Sequence, residues 1–181
     1  MKSWKLILIV VAAIVAIVIM FVFAFQGVQN KAINLEEQIT TAQSEIKIQE
    51  KRRADLIPNL VDCVKAYDEH EYNTLMAVIE ARGAGNDEVA AEVMTSVNVV
   101  AEQYPQLKSN ENYKQLMTEL SATENLIAQT RTNYNTWVTQ YNSYVRKFPN
   151  SGILNMLGYD RQNFEKLTFE VSSDAPTNLF D

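Results

Sequence analysis

One cysteine and one histidine are all that this chain offers for thiol or imidazole chemistry. Cys63 stands between Asp62 and Val64, and His70 follows seven residues later. On a helix that spacing is two turns, about 10 Å, too far for a hydrogen-bonded nucleophile–base pair. A buried, inert thiol is the ordinary role of such a cysteine. His70 precedes Glu71 with no second ligand three or four residues on. A metal site in a helical bundle would take Glu-x-x-His from each of two helices. Gly83-Ala84-Gly85 lacks the Lys-Ser/Thr that lets a glycine-rich loop cradle phosphate. Tyr134, Trp137, Tyr141 and Tyr144 fall at helical spacing, where rings form core and rim. These residues predict no catalytic site, no metal site and no cofactor.

The remaining chemistry lies in charges placed on apolar stripes. Arg53 occupies the stripe of one long helical segment, and Glu124 and Arg131 occupy that of another. Buried charges survive only when paired, because each loses its hydration. Arg53, Glu124 and Arg131 are therefore expected to meet across a helix interface, with Asp55 and Glu71 as further members. Two roles fit such a network. It sets helix register, which is the better attested use, or it forms a switch that a ligand or pH biases, with Pro58 as its hinge.

The elements that carry these charges read as helices. Glycine and proline are few, five and four, and they punctuate the chain. A first soluble helix is predicted over 28–81. Leu35, Ala42, Gln49 and Leu56 recur every seventh residue, with Ile39, Ile46, Arg53 and Leu60 as the companion row. Val64, Tyr67, Glu71 and Val78 continue the stripe, and Pro58 predicts a kink near Leu56 rather than a stop. A second helix runs over 87–104, capped by Asn86, with Asp87 and Glu88 at the positive end of its dipole. Val89, Val93, Val97, Val100 and Tyr104 make its apolar face. A third begins near Ser109 or Asn110 and ends at Phe148. Tyr113, Leu120, Ile127, Tyr134, Tyr141 and Phe148 keep a strict spacing of seven, beside Met117, Glu124, Arg131, Val138 and Val145. A short helix over 153–157, closed by Gly158, caps the end.

The first residues are of another kind. Leu6 to Phe25 carry no polar side chain. About 20 helical residues span roughly 30 Å, the thickness of a bilayer's hydrocarbon core. The run exceeds the apolar region of a cleaved signal and ends without a small-x-small site, so it reads as an anchor. Lys2 and Lys5 before it outnumber Lys31 after it. The positive-inside rule then puts the helical domain on the outer side, periplasmic or extracellular. The net charge of −6 argues against nucleic acid. The single cysteine excludes an intrachain disulfide.

Lys51-Arg52-Arg53-Ala54-Asp55-Leu56-Ile57-Pro58-Asn59-Leu60-Val61 resembles the hallmark R-R-x-D-L-I-P-N-L-V of the LemA family. Further marks follow in order. They are His70-Glu71, Ala81-Arg82, the stretch from Glu102 through Tyr104-Pro105 to Asn110, Glu119-Leu120, Thr123-Glu124-Asn125, Arg131 with Tyr134-Asn135, Tyr141-Asn142, Phe148-Pro149 and Leu157-Gly158-Tyr159. The resemblance covers residues 32–164. It implies a membrane helix followed by an antiparallel helical bundle in a bacterial plasma membrane, with no settled activity. It also implies an amino terminus outside the cell, opposite to the charge count. The stretch between Arg82 and Glu102 is short for the family. The second helix is then expected to cover only part of the first and third, leaving seam for another chain to cover.

The expectation is thus an all-α, single-pass protein. A tail and transmembrane helix occupy 1–27, a bundle of three main helices and a short fourth occupies 28–165, and a loosely ordered tail occupies 166–181. Its partners are membrane lipid through the first helix, and a second copy or a membrane protein through the bundle. It is read as a non-enzymatic interaction or assembly module, with a membrane-anchored sensor or adaptor as the alternative.

Overall fold

The computed structural model describes residues 2–168, and the side chains of 4 and 7–168. Six helices and no strand occur among them: α1 (Lys2–Asp62), α2 (Glu69–Arg82), α3 (Asp87–Gln103), α4 (Pro105–Ser109), α5 (Glu111–Arg146) and α6 (Asn150–Met156). The all-α class stands. The chain divides into two compact units. Unit one comprises Met1–Ile39 and Tyr134–Asp181, and unit two comprises Thr40–Asn133.

Helix α1 is long enough and apolar enough near its start to cross a membrane. It continues without interruption into residues that line both units' cores, and it passes through Pro58. It then stops at Asp62 rather than at Ala81. From Leu60 the bonds shorten to i→i+3: the Cys63 N–H donates to the Leu60 carbonyl at 3.2 Å and the Val64 N–H to Val61 at 2.9 Å. Asp68 begins a new helix, its side chain accepting from the Glu71 N–H at 2.9 Å. The break resets the register. Leu75 and Ile79 are the buried residues of α2, while Glu71 and Val78 are only half-buried.

The core of unit two is contiguous. Leu56, Ile57, Leu60, Val61 and Val64 meet Leu75 and Ile79 of α2, Val89, Val93, Val97 and Val100 of α3, Leu107 of α4, and Tyr113 and Leu120 of α5. Each such aliphatic side chain contributes about 1.5–3 kcal/mol on full burial. Asn86 caps α3 by accepting from the Glu88 N–H at 2.8 Å. Pro105 opens α4 at a position where its missing N–H costs nothing. Asn110 then accepts from Asn112 and Tyr113, which fixes the start of α5.

The buried residues of unit one include Ala32, Leu35 and Ile39 of α1, Tyr134, Val138, Tyr141 and Val145 of α5, and Leu154 of α6. Phe148 leaves its predicted row. Helix α5 ends two residues before it, and Phe148 is 89% exposed. The short last helix starts at Asn150 rather than at Ile153. A segment without regular secondary structure, 159–168, follows Gly158 and is pinned to α5. Leu167 is held there by Asn135, which both donates to and accepts from its backbone at 2.9 and 2.8 Å. Residues 169–181 of the predicted loose tail lie outside the described residues.

The α1 seam is closed by its own chain. Leu35 and Ile39 are buried within unit one, and Ala42, Ile46, Leu56 and Leu60 within unit two. The shortness of α3 therefore leaves no uncovered stripe on these rows, contrary to the expectation from its length.

Candidate functional site

Arg53 is the largest fully buried side chain of unit two, 1% exposed. Its place on the α1 seam puts it under the loop between α2 and α3. Its Nη1 donates to both carboxylate oxygens of Glu124 on α5, each at 3.3 Å. Its Nη2 pairs with Asp87 at 2.6 Å and donates to the Gly85 carbonyl. Asp87 also binds Arg131 of α5 through both oxygens, at 2.8 and 3.1 Å. Arg131 in turn pairs with Glu50 of α1 at 2.7 Å. Two arginines and three carboxylates thus join α1, α3 and α5. The fork of a guanidinium suits this role, since it can hold two acceptors in one plane.

Asp87 is the shared member. As the first residue of α3 it lies at the positive end of that helix's dipole. The hydrogen bond from Arg131, with Arg53 adding to it, holds its carboxyl below the ordinary carboxylate range. The same bond raises Arg131 above the usual guanidinium value. Arg53 Nε and Gln49 Oε1, one helical turn apart, are buried without a protein partner.

The structure brings Arg53 and Glu124 together directly. Asp87 links Arg131 to Arg53. Asp55 lies elsewhere, exposed, its carbonyl accepting from the Asn59 side chain at 2.8 Å. Glu71 lies in the first turn of α2 and is not among the ion pairs of the network. Glu50, Gly85 and Asp87 are the members that sequence reasoning missed. Glu50 precedes Arg53 by one turn on the same helix, a spacing that could have suggested it. Asp87 was legible only as a dipole-facing acid, because its pairing depends on a loop folding back over α1.

Burial, with Asp62 second, pushes the Cys63 thiol above the ordinary value. It donates to the Asn59 carbonyl at 3.5 Å and borders an open groove with Tyr67, Asn110 and Leu116. His70 is exposed.

A second polar cluster lies in unit one. Glu36 of α1 accepts from the Tyr141 hydroxyl at 2.9 Å and from the Tyr159 hydroxyl. The Tyr141 hydroxyl accepts from the Gln162 N–H at 3.0 Å, and its ring meets Phe164 edge-on at 5.2 Å. Burial and the bond to Glu36 push Tyr159 far above the ordinary phenol range, so it stays a donor. Asn142 donates to the Phe164 carbonyl and Tyr134 to that of Glu165. Asn135 and Asn142 stand seven residues apart, about 10.5 Å along a helix. Three residue steps, from Phe164 to Leu167, cover about the same distance when the chain is extended.

The comparisons agree with the sequence motifs. The model of the LemA family matches residues 42–180. The chain is 29% identical over 140 residues to Protein LemA of Metamycoplasma hominis, covering 71% of this chain and 64% of that one. It thus spans less than two thirds of that relative's length. Magnetosome proteins MamQ 2 and MamQ 1 of Paramagnetospirillum magneticum are each 35% identical over 65 residues, 36% of this chain and 24% of theirs.

Proposed function

This chain belongs to the LemA family, and from that premise we propose that it is a non-enzymatic, single-pass membrane protein whose bundle holds a partner protein at the membrane surface. One observation carries the reading: the apolar helix that could cross a bilayer is the same helix, α1, that supplies Leu35, Arg53 and Leu60 to the buried interior. At such a junction the helix leads from the apolar run into buried residues with no intervening loop. The partner is a membrane protein or a further copy of this chain. Ile48, Val99 and Leu126 are exposed apolar residues that a partner could cover. The excess of Lys2 and Lys5 over Lys31 supports an outer-side bundle at a bacterial plasma membrane.

The test is to crosslink the full-length protein in its native membrane, purify it and identify the adducts by mass spectrometry. Repeated recovery of one membrane protein, or of a ladder of the chain itself, supports the reading. Recovery of uncrosslinked monomer alone, under conditions that capture known neighbours, contradicts it.

Asp87 favours a second reading, an adaptor whose charged network switches. It is 56% exposed yet holds two arginines from different helices. Protonating or displacing it would loosen both, leaving Arg53 with Glu124 and Gly85 and Arg131 with Glu50. If Asp87→Asn leaves partner capture and helix packing unchanged across pH, this second reading fails.

A further inference from the structure

Unit one carries a bare aromatic side chain at its basic end. Phe148 is 89% exposed, the most exposed large apolar residue described in the chain. It stands in the turn between α5 and α6. Three neighbours in that turn and opposite it are basic and exposed: Arg146, Lys147 and Lys31. Lys31 and Lys147 line one groove, and Arg146 and Lys147 line the next with Lys166. No Asp or Glu occurs in 26–35 or 140–155, although the whole chain has a net charge of −6.

The height of this turn along α1 follows from two contacts. The Tyr141 hydroxyl meets Glu36, and the Tyr144 hydroxyl meets the Val28 carbonyl at 3.3 Å. Moving along α5 toward its end therefore moves down α1 toward the apolar run. Asn150 donates back to the Tyr144 carbonyl at 3.2 Å, so the turn that holds Phe148 is the lowest point of α5 and α6. The apolar run ends at Phe25, and three helical residues to Val28 rise about 4.5 Å. The headgroup layer of a bilayer is roughly 5–8 Å deep on each side. Val28 falls inside that layer, and Phe148, four residues beyond Tyr144, lies lower, near the level at which the apolar run ends.

We infer that the α5–α6 turn is a second membrane contact. Phe148 inserts at the boundary of headgroups and acyl chains, and Arg146, Lys147 and Lys31 bind anionic lipid phosphates. An exposed aromatic beside cations is the chemistry of an interfacial anchor. The occupant is the bilayer that α1 crosses, since the turn and the span share a helix and a level. The inference rests on the reading of 6–25 as a membrane span. Together the two contacts fix the tilt of unit one, which a single helix would leave free.

The experiment places one tryptophan at a time in the full-length chain, reconstituted in vesicles of phosphatidylcholine and phosphatidylglycerol containing brominated acyl chains. With Trp137→Phe, native Trp4 reports the span. With Trp4→Phe and Trp137→Phe, Phe148→Trp reports the turn and Leu167→Trp reports the pinned segment. Circular dichroism confirms that each variant keeps its helices. The expected result is quenching of position 148 comparable to that of Trp4, a blue-shifted emission there, and no quenching at 167. Arg146→Glu with Lys147→Glu should reduce the quenching at 148, more so when phosphatidylglycerol is present. Quenching of Trp4 without quenching at 148 overturns the second contact and leaves the anchor standing. Absence of quenching at Trp4 overturns the anchor, and the inference with it.

Discussion

Arg53 shows how much one side chain can be asked to hold. It is buried beneath Gly85 and paired with Asp87 and Glu124. Removing one partner of a buried pair leaves a charge without compensation, which costs about 3–5 kcal/mol. Asp87→Asn weakens both arginines at once, whereas Glu124→Gln or Glu50→Gln weakens one. We expect Asp87→Asn to lower unfolding free energy by about 1.5–3 kcal/mol, more than either single glutamate change. Urea denaturation of the three variants side by side checks the order. The pH dependence has a definite sign. Asp87 is depressed in the fold from its ordinary value of 3.8. Its contribution is complete above that value and is lost as pH falls through the lower folded value, because the unfolded chain takes up the proton first. The stability gap between the native chain and Asp87→Asn should therefore be constant from neutral pH to about 4 and close below it. A gap that widens in acid would refute the assignment.

At the scale of elements, the heptad rows were legible and their interruptions were not. Leu35, Ile39, Ala42 and Ile46 are buried on α1, as are Leu120, Ile127, Tyr134 and Tyr141 on α5, because seven-residue spacing keeps one face inward. Periodicity could also say that Arg53 needs a partner. It could not say which, since Asp87 arrives through a loop 34 residues away in the chain. The break after Asp62 had a readable signal in Asp68 and Glu71, which have the spacing of a capping box. The stripe through Val64 and Val78 hid it. Phe148 misled for the opposite reason: its spacing fits a row that the helix does not reach. Two predictions belong here. Asn135→Ala removes both bonds to Leu167, and hydrogen exchange in 165–168 should quicken severalfold while α5 stays protected. Unchanged exchange would mean that other contacts hold the segment. Pro58→Ala restores a backbone donor inside α1 and should stabilise the chain by about 1–3 kcal/mol. If Pro58 is a hinge, the same variant should also reduce any pH-driven change in helix packing.

In the whole molecule, one helix begins in an apolar run and ends in a buried core. Family membership supports a bacterial membrane protein, and the relatives' names assign no reaction. The finer claim is that the bundle works by holding another protein. The most direct test is position-resolved crosslinking in living cells, with a photoreactive residue in place of Ile48, Val99 or Leu126. The account predicts a discrete adduct, to one partner or to a second copy, at one or more of these exposed positions. It also predicts none at Glu119, which sits on α5 beside Arg52. Equal, diffuse labelling at all four positions, or no adduct at any while the protein remains folded in the membrane, would contradict it.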